Sequence, residues 1–359
     1  MSATAQRLSN LISLSFSHIA LNPVLSGALL WVLTKGPTQV RARLASRFAA
    51  LRDSGRLEQI TKALRLLLAL GLLRNVNGYL NKIALNAWRL KPLIGEKKKW
   101  NWSEEIAVVT GGCSGIGELI VRGLVKKGLR VAILDIQELP PELQGYANIK
   151  FFACDITDPT AVNTTAERIR AMMGSPSILV NNAGIAQAHT ILDTSDEWLR
   201  KIFDINLLSN FTTVKAFLPD MIAKNKGHIV SVASASSYLG IAGMVDYTAT
   251  KAGVLSFHEG LNQELKHRYN ARGVLTTSVH PSWVRTPLIQ TWEKALKATG
   301  NALIEPQDVA DVIVKQIISA SGGQIFVPHT LSKVALLRGL PHWLQELLRD
   351  GTSKAVLRQ

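Results

Sequence analysis

The chain has 359 residues, 47% hydrophobic and only 19% charged, which excludes a disordered, collagenous or low-complexity protein. Its 41 Lys and Arg against 26 Asp and Glu give a formal net charge of +15, a balance that invites nucleic acid or an anionic membrane surface as partner. The excess is local: residues 1–100 hold 16 basic and 3 acidic side chains, a net of +13, which leaves +2 for residues 101–359.

Two cysteines, Cys113 and Cys154, cannot make a disulfide framework, so nothing argues for an oxidising compartment. The sequons at Asn101, Asn163 and Asn210 are read as chance tripeptides.

Between Arg7 and Lys35 lie 27 residues without Asp, Glu, Lys or Arg. As helix they would measure about 40 Å, enough for a hydrocarbon core of about 30 Å. Ser9, Asn10, Ser13, Ser15, Ser17, His18, Asn22 and Ser26 dilute the run, and Pro23 removes a helical hydrogen bond near its middle, so a kinked span or a re-entrant hairpin fits as well as a straight helix.

The run Leu66–Leu73 is too short to cross a bilayer. With Lys62, Arg65, Arg74, Lys82, Arg89 and Lys91 around Leu64, Leu67, Leu68, Leu72, Leu80, Ile83 and Leu85 it reads as interfacial helix, its cationic stems reaching anionic headgroups. Lys97, Lys98 and Lys99 with Trp100 and Trp102 then mark the exit from the interface. If the first segment spans, the positive-inside rule puts Lys35 and all that follows on the cytoplasmic side. A soluble basic helical domain and a mitochondrial transit peptide are the competing readings. Nucleic acid is the weaker partner, because the basic residues alternate with Leu, Ala and Val instead of stacking aromatics.

From Glu105 short apolar runs alternate with helical stretches, the rhythm of βαβ units. Strands are predicted at 106–110, 130–135, 149–155, 178–182, 228–234, 274–280 and 324–327. They predict an α/β fold with a doubly wound, seven-stranded parallel sheet (Rossmann fold), whose ligands bind at the carboxyl ends of the strands. The expected organisation is a membrane-associated helical region over 1–100, the sheet domain over 101–329 and an amphipathic tail over 330–359.

The first strand runs into Thr110-Gly111-Gly112-Cys113-Ser114-Gly115-Ile116-Gly117 and a helix over 118–127. Glycines at 111, 115 and 117 let the backbone approach a pyrophosphate at a helix N-terminus. Asp135 ends the second strand, where a carboxylate accepts ribose hydroxyls and repels a 2′-phosphate; its neighbour is Ile136, so NAD is favoured over NADP.

Asn181-Asn182-Ala183-Gly184 closes the fourth strand, Ser234 the fifth, and Tyr247-Thr248-Ala249-Thr250-Lys251 begins 13 residues after Ser234. On these motifs, over about residues 104–329, the chain resembles the short-chain dehydrogenase/reductase family. The resemblance implies that Tyr247 is the general acid/base, that Lys251 and the nicotinamide charge lower its pKa, and that Ser234 holds the substrate oxygen while hydride passes to or from nicotinamide C4. Asn206 matches the helix Asn that holds a water relaying protons from Lys251, with a purely structural helix Asn as the rival.

The resemblance also implies a cofactor set. It comprises Thr110, Gly111, Ser114, Gly115, Ile116, Gly117, Asp135, Asp155 and Ile156, with Asn182, Ala183, Gly184, Tyr247, Lys251, Pro281, Val284 and Thr286. Asp155 matches an adenine contact, with helix capping as its rival. Ser282 stands where the family has Gly.

His228, His258, His267 and His280 show no metal-ligand spacing, and no metal is expected. Cys113 and Cys154 fall near the expected cofactor and are read as small packing residues.

Leu288, Ile289, Trp292, Leu296 and Leu303 make an apolar side at the family's substrate lid, suited to a greasy alcohol or ketone. In the tail, Leu337, Leu340, Leu344 and Leu347 form a stripe with Trp343 that could close the pocket, dock on a membrane or cap the fold. The apolar leader, the domain and the tail together look like the microsomal retinol dehydrogenases and lipid-droplet 17β-hydroxysteroid dehydrogenases.

That likeness implies NAD(H), lipophilic alcohols such as retinoids, steroids or long-chain lipids, a site at the endoplasmic reticulum or lipid droplets, and a homodimer. The alternatives are an NADPH-dependent reductase of polyketide, xenobiotic or 3-ketolipid carbonyls, and a non-catalytic NAD-binding membrane scaffold.

Overall fold

The computed structural model describes residues 19–89 and 99–353. Two compact units meet in sequence between Ile83 and Ala84.

The first unit is helical. Helix α1 (Pro23–Thr34) starts at Pro23, where Asn22 Oδ1 accepts the N–H groups of Val24 (2.9 Å) and Leu25 (3.3 Å). The expected mid-span kink is therefore a helix start, a position where proline's missing N–H removes no bond. Residues 8–18 of the apolar stretch lie outside the described residues. The 12 residues of α1 reach only about 18 Å.

Helix α2 (Thr38–Arg47) and the 32-residue α3 (Ser54–Leu85) follow. Among the described residues no helix is long and apolar enough to cross a membrane. In α3 the apolar run is bracketed by Arg65 and Arg74, and Leu66, Leu70, Leu72, Leu73, Val76 and Leu80 are exposed.

The second unit is the predicted sheet. Its strands are β1 (Ile106–Thr110), β2 (Arg130–Asp135), β3 (Ile149–Ala153), β4 (Ile178–Asn181), β5 (Gly227–Val232), β6 (Val274–Pro281) and β7 (Gly323–Val327). All pair in parallel, in the order β3-β2-β1-β4-β5-β6-β7.

Alternation along β1 sends Ala107 and Val109 to one core, with Ile120, Val121 and Leu124 of α4 (Gly115–Lys126) and Ile313 and Ile317 of α10 (Pro306–Ile318). Ile106 and Val108 face the other, with Ile169 of α5 (Pro159–Met173), Phe217 of α7 (Ser209–Ala223) and Leu265 of α8 (Val245–His267).

The remaining helices are α6 (Asp196–Phe203), α9 (Glu293–Ala298) and α11 (His342–Ser353). Chain direction across the sheet reverses between β1 and β4, which opens a crevice at their carboxyl ends.

Local bonds adjust the predicted boundaries. Helix α4 begins at Gly115 instead of Glu118. Strand β3 ends before Asp155 because that carboxylate folds back onto Thr157, accepting its N–H (2.9 Å) and hydroxyl (2.7 Å). Strand β5 ends before Ser234, which caps the short turn Ala235–Ser237.

Trp100 does not mark a membrane exit. It is buried in the core, stacked on Trp102 at 5.3 Å, with Lys226 Nζ 4.8 Å from its ring centroid. Leu90 to Lys98 lie outside the described residues.

Candidate active site

Two adjoining clefts open at the crevice. The first, of about 1100 Å³, is lined by Gly111, Ser114, Gly115, Ile116, Asp135, Asp155, Ile156, Asn182, Ala183, Gly184 and Thr286, among others. The second, of about 1270 Å³, is lined by Ser234, Tyr247, Lys251, Pro281 and Val284 within mostly apolar walls. Ile116, Asn182, Gly184, Thr286 and Leu288 border both. Among the expected site residues, Thr110, Gly117 and Asn206 line neither and act from behind.

Their roles there are specific. Thr110 Oγ1 accepts the N–H groups of Asn182 and Ala183, both at 3.1 Å, tying the ends of β1 and β4 together. Asn182 Nδ2 returns bonds to the carbonyls of Thr110 and Gly111, both at 3.1 Å. Gly117 sits so close beneath this knot that a Cβ would stand 2.0 Å from Gly111 O.

Gly111 itself has φ +63°, and its own Cβ would meet Ala183 Cα at 2.9 Å. The first helical bond of α4 runs from Glu118 N to Ser114 O (3.2 Å), so the first-turn N–H groups have no partner within the helix. Those open donors, beside Gly111 and Gly117 where a Cβ would clash, fit a pyrophosphate.

Asp135 holds the glycine loop. Its Oδ2 accepts Cys113 N (2.9 Å) and its Oδ1 accepts Gln137 N (3.0 Å), so the carboxylate anchors the glycine loop to the end of β2. None of the described residues lining that cleft is Lys or Arg. Asp155 also borders it, and the capping rival fails, since Asp158 caps α5 through Thr160 N (2.7 Å). Cys113 and Cys154 are buried; burial first, then the Asp135 charge, pushes the Cys113 thiol up to about 12.

In the second cleft Ser234 stands beside the Tyr247 phenol and favours its ionised form. Ser234 Oγ also accepts Ser236 N (3.2 Å), and the Ser234 carbonyl accepts His280 Nδ1 (3.1 Å). Lys251 Nζ donates to Val232 O (2.9 Å) and lies 5.6 Å from the Tyr247 ring centroid.

Burial pushes the Tyr247 phenol up to about 12, partly offset by Ser234, and pulls the Lys251 ammonium down to about 8. In the protein alone burial dominates the Tyr247 phenol, and the Lys251 ammonium is held by a carbonyl.

Asn206 lies in a π-helical turn, Asp204–Leu208. Its Oδ1 accepts Ile185 N (2.8 Å), while its Nδ2 donates to Ile185 O (2.9 Å) and Thr250 Oγ1 (3.2 Å). The side chain is fully engaged in holding the segment after β4.

The substrate wall differs from its prediction. Leu288, Ile289 and Trp292 line the cleft, whereas Leu296 is fully buried and Leu303 packs on the same small core. Sequence reasoning missed Leu239, Ile241, Met244 and Trp283. The available signal was an apolar stretch, 239–244, in a loop punctuated by Gly240 and Gly243, where a solvated loop would be polar.

The tail is not one amphipathic helix but a 3₁₀ segment, His329–Gly339, followed by α11. Leu331, Val334 and Thr352 line the cleft, and Arg338 donates to the carbonyls of Ser237 (3.1 Å) and Tyr238 (3.3 Å). This part of the tail walls the pocket, while Trp343, Leu347 and Leu348 of α11 stay exposed. Ser282 is held by its N–H to Val327 O (2.8 Å), which ties the turn after β6 to the end of β7.

His228, His258 and His280 are buried in the core. Among the described residues no group of three or more His, Cys, Asp or Glu could hold a metal ion.

The short chain dehydrogenase model matches residues 105–297. Dehydrogenase RED2 of Cochliobolus heterostrophus is 43% identical over 201 residues, covering 55% of this chain and 75% of that protein. Estradiol 17-beta-dehydrogenase 11 of Homo sapiens is 32% identical over 256 residues, covering 70% and 82%. Epidermal retinol dehydrogenase 2 of Homo sapiens is 30% identical over 229 residues, covering 62% and 74%.

A solved structure, the 3-ketoacyl-(acyl-carrier-protein) reductase of Brucella melitensis complexed with NADH, superposes with a TM-score of 0.56 at 24% identity, covering 63% of this chain and 98% of that one, and shares the fold. With its glycine loop, strand order and Ser-Tyr-Lys site, the chain belongs to the short-chain dehydrogenases, an oxidoreductase related to the steroid and retinol dehydrogenases.

Proposed function

We propose that the protein is an NAD(H)-dependent oxidoreductase that interconverts a lipophilic alcohol, of the retinoid, steroid or long-chain lipid type, and its carbonyl. The observation that carries this reading is the second cleft, where Ser234, Tyr247 and Lys251 sit together within a wall that is mostly apolar, built largely from Leu239, Ile241, Met244, Leu288, Ile289, Trp292, Leu331 and Val334. Such a wall favours an apolar body and leaves one oxygen to be recognised.

A nicotinamide dinucleotide, held by the glycine loop, Asp135 and the β4 end, supplies a carbon that takes or gives hydride. Tyr247, protonated at neutral pH and pushed further from ionisation by burial, is set to donate to a carbonyl oxygen, and Ser234 shares the charge on that oxygen. In the oxidative direction the same phenol must release its proton, which cationic neighbours favour. The acidic, Lys- and Arg-free lining around Asp135 supports NAD over NADP.

The first unit belongs to the same proposal. Exposed Trp31 on α1 and exposed leucines on α3, amid basic side chains, suit the surface of the endoplasmic reticulum or a lipid droplet, with the catalytic unit on the cytoplasmic side. A homodimer is part of it as well, with exposed Leu208, Phe211 and Val245 as the apolar area to be covered.

The deciding test is turnover by detergent-purified full-length protein on retinoid, steroid and fatty alcohols with NAD(H) and NADP(H), beside Tyr247→Phe. Turnover with NAD(H) that the variant abolishes supports the reading. A clear preference for NADP(H) transfers it to the carbonyl reductase alternative, and no turnover with any pair leaves the NAD-binding scaffold. Flotation with anionic vesicles checks the lipid surface; binding indifferent to anionic lipid and to salt overturns it.

A further inference from the structure

Next to the proposed acid/base lies a buried carboxylate that the reaction as described does not use. Asp246 precedes Tyr247 in the first turn of α8, and its side chain is 3% exposed. Helix α8 has no capping side chain at its N-terminal residue, Met244. Instead Asp246 Oδ1 accepts the N–H of Tyr247 (2.7 Å), one of the first-turn donors a helix leaves open.

Its Oδ2 takes two further donors, Trp198 Nε1 of α6 (2.8 Å) and His189 Nε2 (2.9 Å). A carboxylate only accepts, so the His189 proton facing it sits on Nε2. The His189 ring also meets Trp198 edge-on at 5.9 Å, and its backbone N–H donates to Gly243 O (2.9 Å).

These bonds close a frame around one short segment. Residues Ile185 to His189 leave β4 and pass between the clefts: Ile185 borders the first and Ala186 the second. The segment is clamped at both ends, by Asn206 on Ile185 and by Asp246 on His189. Asp246 is the clamp that also grips the N–H of Tyr247. Neither Asp246 nor His189 lines a cleft.

We propose that Asp246 and His189 are positioning residues for Tyr247: through one buried carboxylate they set the start of α8 against the segment between the two clefts, and so the place of the phenol relative to the substrate. This inference rests on Tyr247 being the acid/base. The pair also specifies its members. Glutamine at 189 keeps an N–H for Asp246, whereas alanine leaves a buried carboxylate one donor short.

The test uses the full-length protein with Asp246→Asn, His189→Ala and His189→Gln. Turnover of the best alcohol is read beside NADH affinity by fluorescence and backbone hydrogen exchange over 185–189 and 243–247. Expected for Asp246→Asn and His189→Ala is a kcat about 10- to 100-fold lower, the scale of a misplaced reacting group. NADH affinity should stay within about threefold and KM should change little. Exchange should rise about tenfold in the two named segments only, and His189→Gln should recover most of the lost kcat.

A kcat within about twofold of wild type in both disruptive variants overturns the proposal. So does exchange that rises evenly through the chain, or a kcat that falls in step with NADH affinity, since either marks general destabilisation. If wild type turns over nothing, the reading of Tyr247 as acid/base fails, while the exchange of the two segments still decides whether the clamp exists.

Discussion

Placing one methyl group on Gly117 tests how the dinucleotide groove is built. In Gly117→Ala the new Cβ would stand 2.0 Å from Gly111 O and 2.5 Å from Asn182 Nδ2. Carbon contacts settle near roughly 3.5 Å, so α4 must move off β1 or the loop must open by more than about 1 Å. Opening the loop breaks the two Asn182 amide bonds to Thr110 O and Gly111 O, which measure 3.1 Å each. Their loss costs about 1 kcal/mol apiece. Overpacking adds about 1–3 kcal/mol, for a total of about 3–5 kcal/mol.

Thermal unfolding followed by circular dichroism should then show a midpoint lowered by roughly 6–20 °C. Fluorescence titration should show NADH affinity down by at least about tenfold, since the open N–H groups of α4 shift with the loop. A variant with a wild-type midpoint and NADH affinity within about twofold would refute the reasoning, because no tight backbone approach could then exist at this position.

Two other outcomes follow from the same geometry. Asp135→Ser combined with Ile136→Arg removes the carboxylate, keeps an acceptor for the loop N–H groups and adds a cation at the groove; the kcat/KM ratio of NADP(H) to NAD(H) should rise at least about tenfold, and an unchanged ratio refutes the role given to Asp135. Burial holds the imidazoles of His228 and His258 down to about 3 and that of His280 down to about 4, against 6.5 for the free group.

Because these folded values are depressed, the stability they contribute is fully present above pH 6.5 and is lost as pH falls toward 4 and below. Thermal midpoints measured from pH 7 to 4 should fall with up to about three protons taken up on unfolding, and His228→Gln should remove about one of them. A midpoint flat over that range refutes the burial argument.

Much of this protein is written in local pattern. The alternation of short apolar runs with helical stretches determined seven parallel strands, because strands buried on both faces must be apolar throughout and need helices to return the chain. The glycine loop, Asp135 and the Ser234, Tyr247 and Lys251 spacing were legible for a related reason. Each depends on residues close in sequence or on strand ends that the fold class already aligns.

What only the tertiary structure decided involves partners distant in sequence. Asp246 reads as an ordinary helix-start acid until His189 and Trp198 are brought onto its Oδ2. Leu331 and Val334 lie outside the leucine stripe of the tail and gain a role only when Arg338 holds the tail across the cleft. Trp100 reads as an interfacial anchor until the core closes over it. The Tyr247 pKa is the same lesson in energy. Four-residue spacing puts Lys251 near the phenol, but the depth of burial, which no spacing records, raises the phenol and lowers the ammonium.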